Sequence, residues 1–219
     1  MASALGLFGG SFDPVHFGHL RLAAELREAF ALERVAFLPA GRPWQREGGT
    51  RASGEQRAAM LRLATAGDPG FTVDERELAR EGETYTIDTL AEVRGEVGPD
   101  APLVFLLGSD AFARIETWHR WESLFDFAHF AVAVRADDAD WQSRGPGAIP
   151  KSLWPRVSVN RRDLLSVPAG RIMTFSMTPL AISSTAIRDR VAGGSTIRYL
   201  TPDPVVGYIQ QHSLYGTPA

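Results

Sequence analysis

The chain of 219 residues contains no cysteine. That excludes disulfides, thiolate catalysis and zinc sites built on cysteine. It has no apolar run approaching the length of a membrane span, and its longest apolar segments are interrupted by glycine or charge. It has no excess of positive charge: 23 Lys and Arg against 26 Asp and Glu leave a net charge of −3. A nucleic-acid partner is not expected, since that calls for a clustered basic face. Met1 to Gly10 lacks a basic n-region and soon reaches Asp13, so it does not read as a signal peptide, and a cytoplasmic protein is expected. Repeats and low-complexity tracts are missing. So are three familiar motifs: no Gly-Lys-Ser/Thr follows the glycines near the start, GxGxxG is absent, and no His-Glu-x-x-His occurs.

What is present suits one substantial domain over residues 1–219, with a small helical portion from about residue 180. A hydrophobic content of 44% is enough for a sizeable core. Apolar runs at Ala4 to Phe8, Arg34 to Pro39, Leu103 to Leu107 and His129 to Val134 read as buried strands, and Phe71 to Glu75 alternates like one. Arg156 to Val159 and Arg171 to Phe175 are shorter strand candidates. Helical spacing starts near Gly18, and further helices are expected over Glu55 to Ala66, Ser184 to Ala192 and Asp203 to His212. Thr84 to Val97 reads as a helix capped by threonine. Residues 136 to 156 break the pattern with Pro, Gly and charge and read as a surface insertion. Alternation of strands and helices gives an α/β fold, Rossmann-like and doubly wound, with a mainly parallel sheet and helices on both faces. Ligands of such sheets bind beyond the carboxyl ends of the strands.

The densest chemistry lies in Gly9-Gly10-Ser11-Phe12-Asp13-Pro14-Val15-His16-Phe17-Gly18-His19, between the first strand and the first helix. Glycines allow close backbone approach, the helix start offers unpaired N–H groups, and two imidazoles three residues apart can face one bound group. The stretch reads as a site for an anion, most simply a phosphate. Ser183 or Ser184 can cap the helix carrying Arg188, whose forked donors suit phosphate oxygens, and Gly193-Gly194 can end it. Asp110, in Gly108-Ser109-Asp110, brings a carboxylate to a strand end, where it can accept from ribose hydroxyls.

These segments resemble the (H/T)xGH nucleotidyltransferases, and within them the bacterial nicotinate-nucleotide adenylyltransferases. The resemblance runs through GGSFDPVHFGH, Thr84-Tyr85-Thr86-Ile87-Asp88-Thr89-Leu90, Gly108-Ser109-Asp110, Thr117-Trp118 and Ile182-Ser183-Ser184-Thr185-Ala186-Ile187-Arg188. It ends in Leu200-Thr201-Pro202 to Tyr208-Ile209 and Leu214-Tyr215, so nearly the whole chain is covered.

The resemblance implies transfer of the adenylyl group of ATP to nicotinate mononucleotide, giving deamido-NAD and pyrophosphate without a covalent intermediate, with Mg²⁺ accompanying ATP. It implies catalytic roles for His16, His19 and Arg188. It implies ATP contacts from Gly9, Gly10, Ser11, Phe12, Gly18, Gly108, Asp110, Ser183, Ser184 and Thr185. Thr86 and Trp118 match positions that hold the nicotinate, and Arg46 and Arg135 are further candidates on that side. Arg42-Pro43-Trp44-Gln45-Arg46 departs from the family's Pro-Pro-His-Lys/Arg, keeping only the final basic position. The rival readings are a sister adenylyltransferase acting on nicotinamide mononucleotide or phosphopantetheine, and a nucleotide-sensing module without turnover.

Overall fold

The computed structural model describes residues 4–42, 49–135, 149–178 and 180–216, with the backbone but not the side chain of Arg135. Six strands form one parallel sheet: β1 (Leu5–Gly10), β2 (Arg34–Pro39), β3 (Phe71–Val73), β4 (Leu103–Gly108), β5 (His129–Arg135) and β6 (Ile172–Met177). Their order across the sheet is β3-β2-β1-β4-β5-β6. The chain therefore winds outward from β1 in one direction, then returns to start again at β4. The reversal falls between β1 and β4, the switch point where open α/β sheets bind ligands.

The period of two along each strand divides the core. Phe8, Val104, Leu106, Ala131 and Ala133 face one side of the sheet, while Leu7, Leu103, Phe105, Leu107, Phe130 and Val132 face the other. The first side is covered by α1 (Phe17–Phe30) and α2 (Gly54–Thr65), by α7 (Arg161–Ser166), and by α8 (Ser184–Ala192) and α9 (Asp203–Gln211). The second is covered by α4 (Thr86–Val97), α5 (Ser109–Phe112) and α6 (Leu124–Phe127); α3 (Arg76–Ala79) bridges β3 and α4. The helix α9 buries Val205, Val206 and Ile209 and packs against α2, which joins the C-terminal helices to the main layer.

Three local expectations are corrected. β1 does not stop before its glycines but carries its pairing with β2 through Gly9 and Gly10, because glycine still offers its N–H and C=O to a neighbouring strand. The start of α4 has no threonine cap; Tyr85 is the N-cap, in extended conformation, without a side-chain hydrogen bond. Arg156 to Val159 is no strand. A 3₁₀ helix over Lys151–Arg156, containing Pro155, runs into it, and the Asn160 side chain caps α7. Only Val157 bridges to Ile172. Proline removes a ladder donor and an Asx cap diverts the backbone, which is why the apolar pattern lost there. Among the described residues, no helix is long and apolar enough to cross a membrane.

Candidate active site

β1 ends in the glycines, and the chain turns through Phe12, held at φ 47°, and a cis Asp13–Pro14 peptide before α1 begins. His16 is the N-cap of α1 and His19 lies one turn in. Their rings stack with centroids 3.7 Å apart. The His16 N–H donates to His19 Nδ1 at 3.3 Å. An Nδ1 that accepts leaves the proton of the neutral ring on Nε2. His19 stays neutral because burial, and then the neighbouring His16, hold its pKa well below 6.5. Phe12, only 1% exposed, meets the His19 ring edge-on with centroids 5.0 Å apart. Its ring is therefore the bed of the imidazole. Gly18 leaves room for the other ring: a Cβ there would stand 3.0 Å from the His16 ring and press on it.

The two histidines open into a cavity of about 240 Å³ with Gly18, Gly108, Ser109, Asp110, Ser183 and Ser184 in its wall. Sequence positions 16 to 19, 108 to 110 and 183 to 184 thus meet in one place. Ser183 proves to be the cap of α8, its Oγ accepting from the Ala186 N–H at 3.1 Å. Ser184 instead donates to the Pro14 carbonyl at 2.8 Å, tying the start of α8 to the histidine turn. Arg188 stands behind that turn and not in the cavity wall. It donates to the Asp13 carbonyl at 2.7 Å and to Thr185 Oγ1 at 3.1 Å.

A second cavity, of about 400 Å³, adjoins the first at Gly108. Gly9, Gly10 and Ser11 line it, with Thr84, Tyr85, Thr86, Phe105 and Trp118. Of the glycines assigned to ATP by resemblance, Gly18 lines the first cavity, Gly9 and Gly10 the second, and Gly108 both. Trp118 is half-buried and meets Phe105 edge-on, with centroids 6.3 Å apart. Arg46 lies outside the described residues, as does the side chain of Arg135, whose backbone ends β5.

Sequence reasoning missed how the turn is supported. Asp13, 1% exposed, accepts from the Arg51 and Ala52 N–H groups at 2.8 and 3.1 Å and from the Tyr215 hydroxyl at 2.8 Å. Burial and this carboxylate raise the Tyr215 pKa above its ordinary value. The buried Arg57 donates to the carbonyls of Ser11 and Ala40 at 2.8 and 2.7 Å. One signal was readable: Arg57 falls in the apolar stripe of α2, beside Ala58 and one turn before Leu61. Arg114 and His119 also line the second cavity, with no motif to mark them.

The comparisons agree with this geometry. Residues 7–190 match the family described as Cytidylyltransferase-like. A protein of Dechloromonas aromatica named "Probable nicotinate-nucleotide adenylyltransferase" is 46% identical over 215 residues, 98% of this chain and 99% of that one. A Pseudomonas aeruginosa protein of the same name is 46% identical over the full length of both. Among solved structures, Plasmodium falciparum nicotinic acid mononucleotide adenylyltransferase complexed with NaAD superimposes with a TM-score of 0.70. That likeness, at 18% identity and 97% coverage of each chain, shows the fold. With a glycine turn, two stacked imidazoles and a capped helix start gathered at the switch point, and full-length relatives at this identity, the chain belongs to the nicotinate-nucleotide adenylyltransferase family.

Proposed function

We propose that the protein transfers the adenylyl group of ATP to nicotinate mononucleotide, releasing pyrophosphate and forming deamido-NAD. The observation that carries this is the pair of adjoining cavities: one walled by imidazoles and helix-start groups, the other by aromatic rings and threonines, meeting at Gly108 beside the β1 glycines. The first suits a triphosphate and the second a flat aromatic ring bearing a carboxylate.

In this reading an oxygen of the mononucleotide phosphate attacks the α-phosphorus of ATP. The new P–O bond forms as the bond from that phosphorus to the bridging oxygen breaks, and the electron pair leaves with pyrophosphate. The attacking phosphate is already ionised at neutral pH, so no general base is needed; catalysis is positioning and stabilisation of developing charge. His19 supplies a fixed Nε2–H donor, with His16 stacked on it. Ser183 and Ser184 at the start of α8 line the same cavity, where N–H groups of that helix start would bind phosphate oxygens, and Asp110 in its wall would accept from a ribose hydroxyl. On the other side Trp118 offers a stacking surface, and the uncapped start of α4 at Thr86 offers donors for the nicotinate carboxylate. Arg188 would serve by holding the turn at Asp13, or by swinging to the phosphates from that position.

A divalent cation, Mg²⁺, is part of the proposal as a companion of ATP. Among the described residues no group of three or more His, Asp or Glu side chains is assembled to cage a metal. Asp110 is the one carboxylate among the described residues in the wall of the histidine cavity, so the ion would be held chiefly by phosphate oxygens, where it would neutralise phosphate charge. A pyrophosphate-release assay with ATP and each mononucleotide tests the function. Nicotinate mononucleotide should be the better substrate; a wide preference for nicotinamide mononucleotide would refute the assignment.

A further inference from the structure

Four carbonyl oxygens of the histidine turn are taken up by side chains from far along the chain. Ser11 is bonded by Arg57, Asp13 by Arg188, Pro14 by Ser184 and Val15 by Thr201. A carbonyl drawn away from the cavity cannot oppose an anion there. Two of these contacts bracket His16. Thr201 Oγ1 donates to the Val15 carbonyl at 2.8 Å, in the peptide before His16. The Phe17 N–H, in the peptide after it, donates to the Leu200 carbonyl at 3.1 Å. Consecutive residues near the C-terminus thus hold both peptides flanking one imidazole.

The segment is built to do this. Tyr199 sits at φ 65°, turning the chain so that the Leu200 carbonyl and the Thr201 hydroxyl point the same way, and the Leu200 N–H closes back on the Ile197 carbonyl. Pro202 and α9 follow at once, fixed by the buried Val205 and Val206. Thr201 is 1% exposed, and no water can replace its hydroxyl at the Val15 carbonyl without a cavity to hold it.

We propose that Thr201 is a positioning residue for His16. Its hydroxyl, together with the Leu200 carbonyl, sets the backbone that aims the imidazole at the reacting phosphates. The inference rests on the function proposed above, in which His16 acts on those phosphates.

The test compares Thr201→Val, which keeps the shape and removes the donor, with Thr201→Ser, which keeps the donor. In T201V, kcat should fall between about tenfold and a hundredfold, the scale of a misplaced catalytic group, while KM for both substrates changes little. The His16 ring resonances in NMR should shift in T201V and return, with kcat, in T201S. A folded T201V with wild-type kcat and wild-type ring resonances overturns the proposal. So does a folded T201V with lowered thermal stability and unchanged kcat. Should T201V fail to fold, Thr201→Cys, with a weaker donor of similar size, should give an intermediate kcat; wild-type turnover in folded T201C overturns it equally. Failure of the wild-type protein to form deamido-NAD would instead strike the function itself, and the ring resonances would still decide whether Thr201 places His16.

Discussion

The two cavities that meet at Gly108 are built by opposite means. Around the histidines, the turn is tied to distant parts of the chain: its carbonyls to α2, α8 and Thr201, its Phe17 N–H to Leu200, and its Asp13 carboxylate to the loop at 51–52 and to Tyr215. Around Trp118, the ends of β1 and β4 are joined in the wall by Ala111 of α5, by Arg114 and Trp118 flanking a 3₁₀ turn over Ile115–Thr117, and by half-buried side chains such as Tyr85 and Thr86. The difference matches the chemistry each side would face. Charge that develops during a reaction is stabilised by dipoles already fixed in place, and reorganising them would cost what they contribute. A flat ring asks chiefly for surface, which a less tethered wall provides.

The contrast makes the histidine side the sensitive one for rate. His19→Ala should lower kcat by about a hundredfold to a thousandfold, as for loss of one well-aligned donor, with a smaller change in KM for ATP; steady-state kinetics on a folded variant measures this. Wild-type turnover would remove the contrast. Trp118→Ala should instead raise KM for nicotinate mononucleotide roughly three- to tenfold, the worth of an aromatic contact, and leave KM for ATP unchanged. A fall in kcat as large as that of H19A would mean the ring wall is no less exacting than the turn.

Stability should follow the same division. Because the folded-state pKa of His19 lies well below 6.5, the unfolded chain binds more protons over the interval between them, so stability rises with pH there. The contribution is complete above about pH 6.5 and is lost as pH falls through the depressed value. Denaturant midpoints measured against pH should show the decline, and His19→Asn should flatten it. A slope unaltered by H19N would place the titration elsewhere. The smallest effect expected is for Ser183→Ala: about 1 kcal/mol of stability from loss of the α8 cap, seen in the denaturation midpoint.

Much of this was legible in the residues themselves. Continuous apolar runs marked β2, β4 and β5 because strands covered on both faces need no alternation. The turn could be read because glycines, a proline and two histidines leave few other uses for so short a stretch. What stayed hidden was mostly long-range. Tyr215 lies 202 positions from Asp13, and Thr201 lies 186 from Val15; no local pattern reports such a pairing. Arg188 was recognisable as a donor, but whether its fork turns to the cavity or to the Asp13 carbonyl is decided by packing. The cap of α4 failed for a related reason. Thr84 is engaged through its N–H with the Arg42 carbonyl, so the chain enters the helix extended and Tyr85 takes the cap position.

The central claim is that the stacked imidazoles and the start of α8 serve one triphosphate. A crystal structure with a non-hydrolysable ATP analogue and nicotinate mononucleotide tests it most directly. The account predicts phosphate oxygens within hydrogen-bonding distance of His19 Nε2 and of backbone N–H groups at Ser183 to Thr185, with the nicotinate ring against Trp118. A triphosphate bound away from both histidines would contradict it.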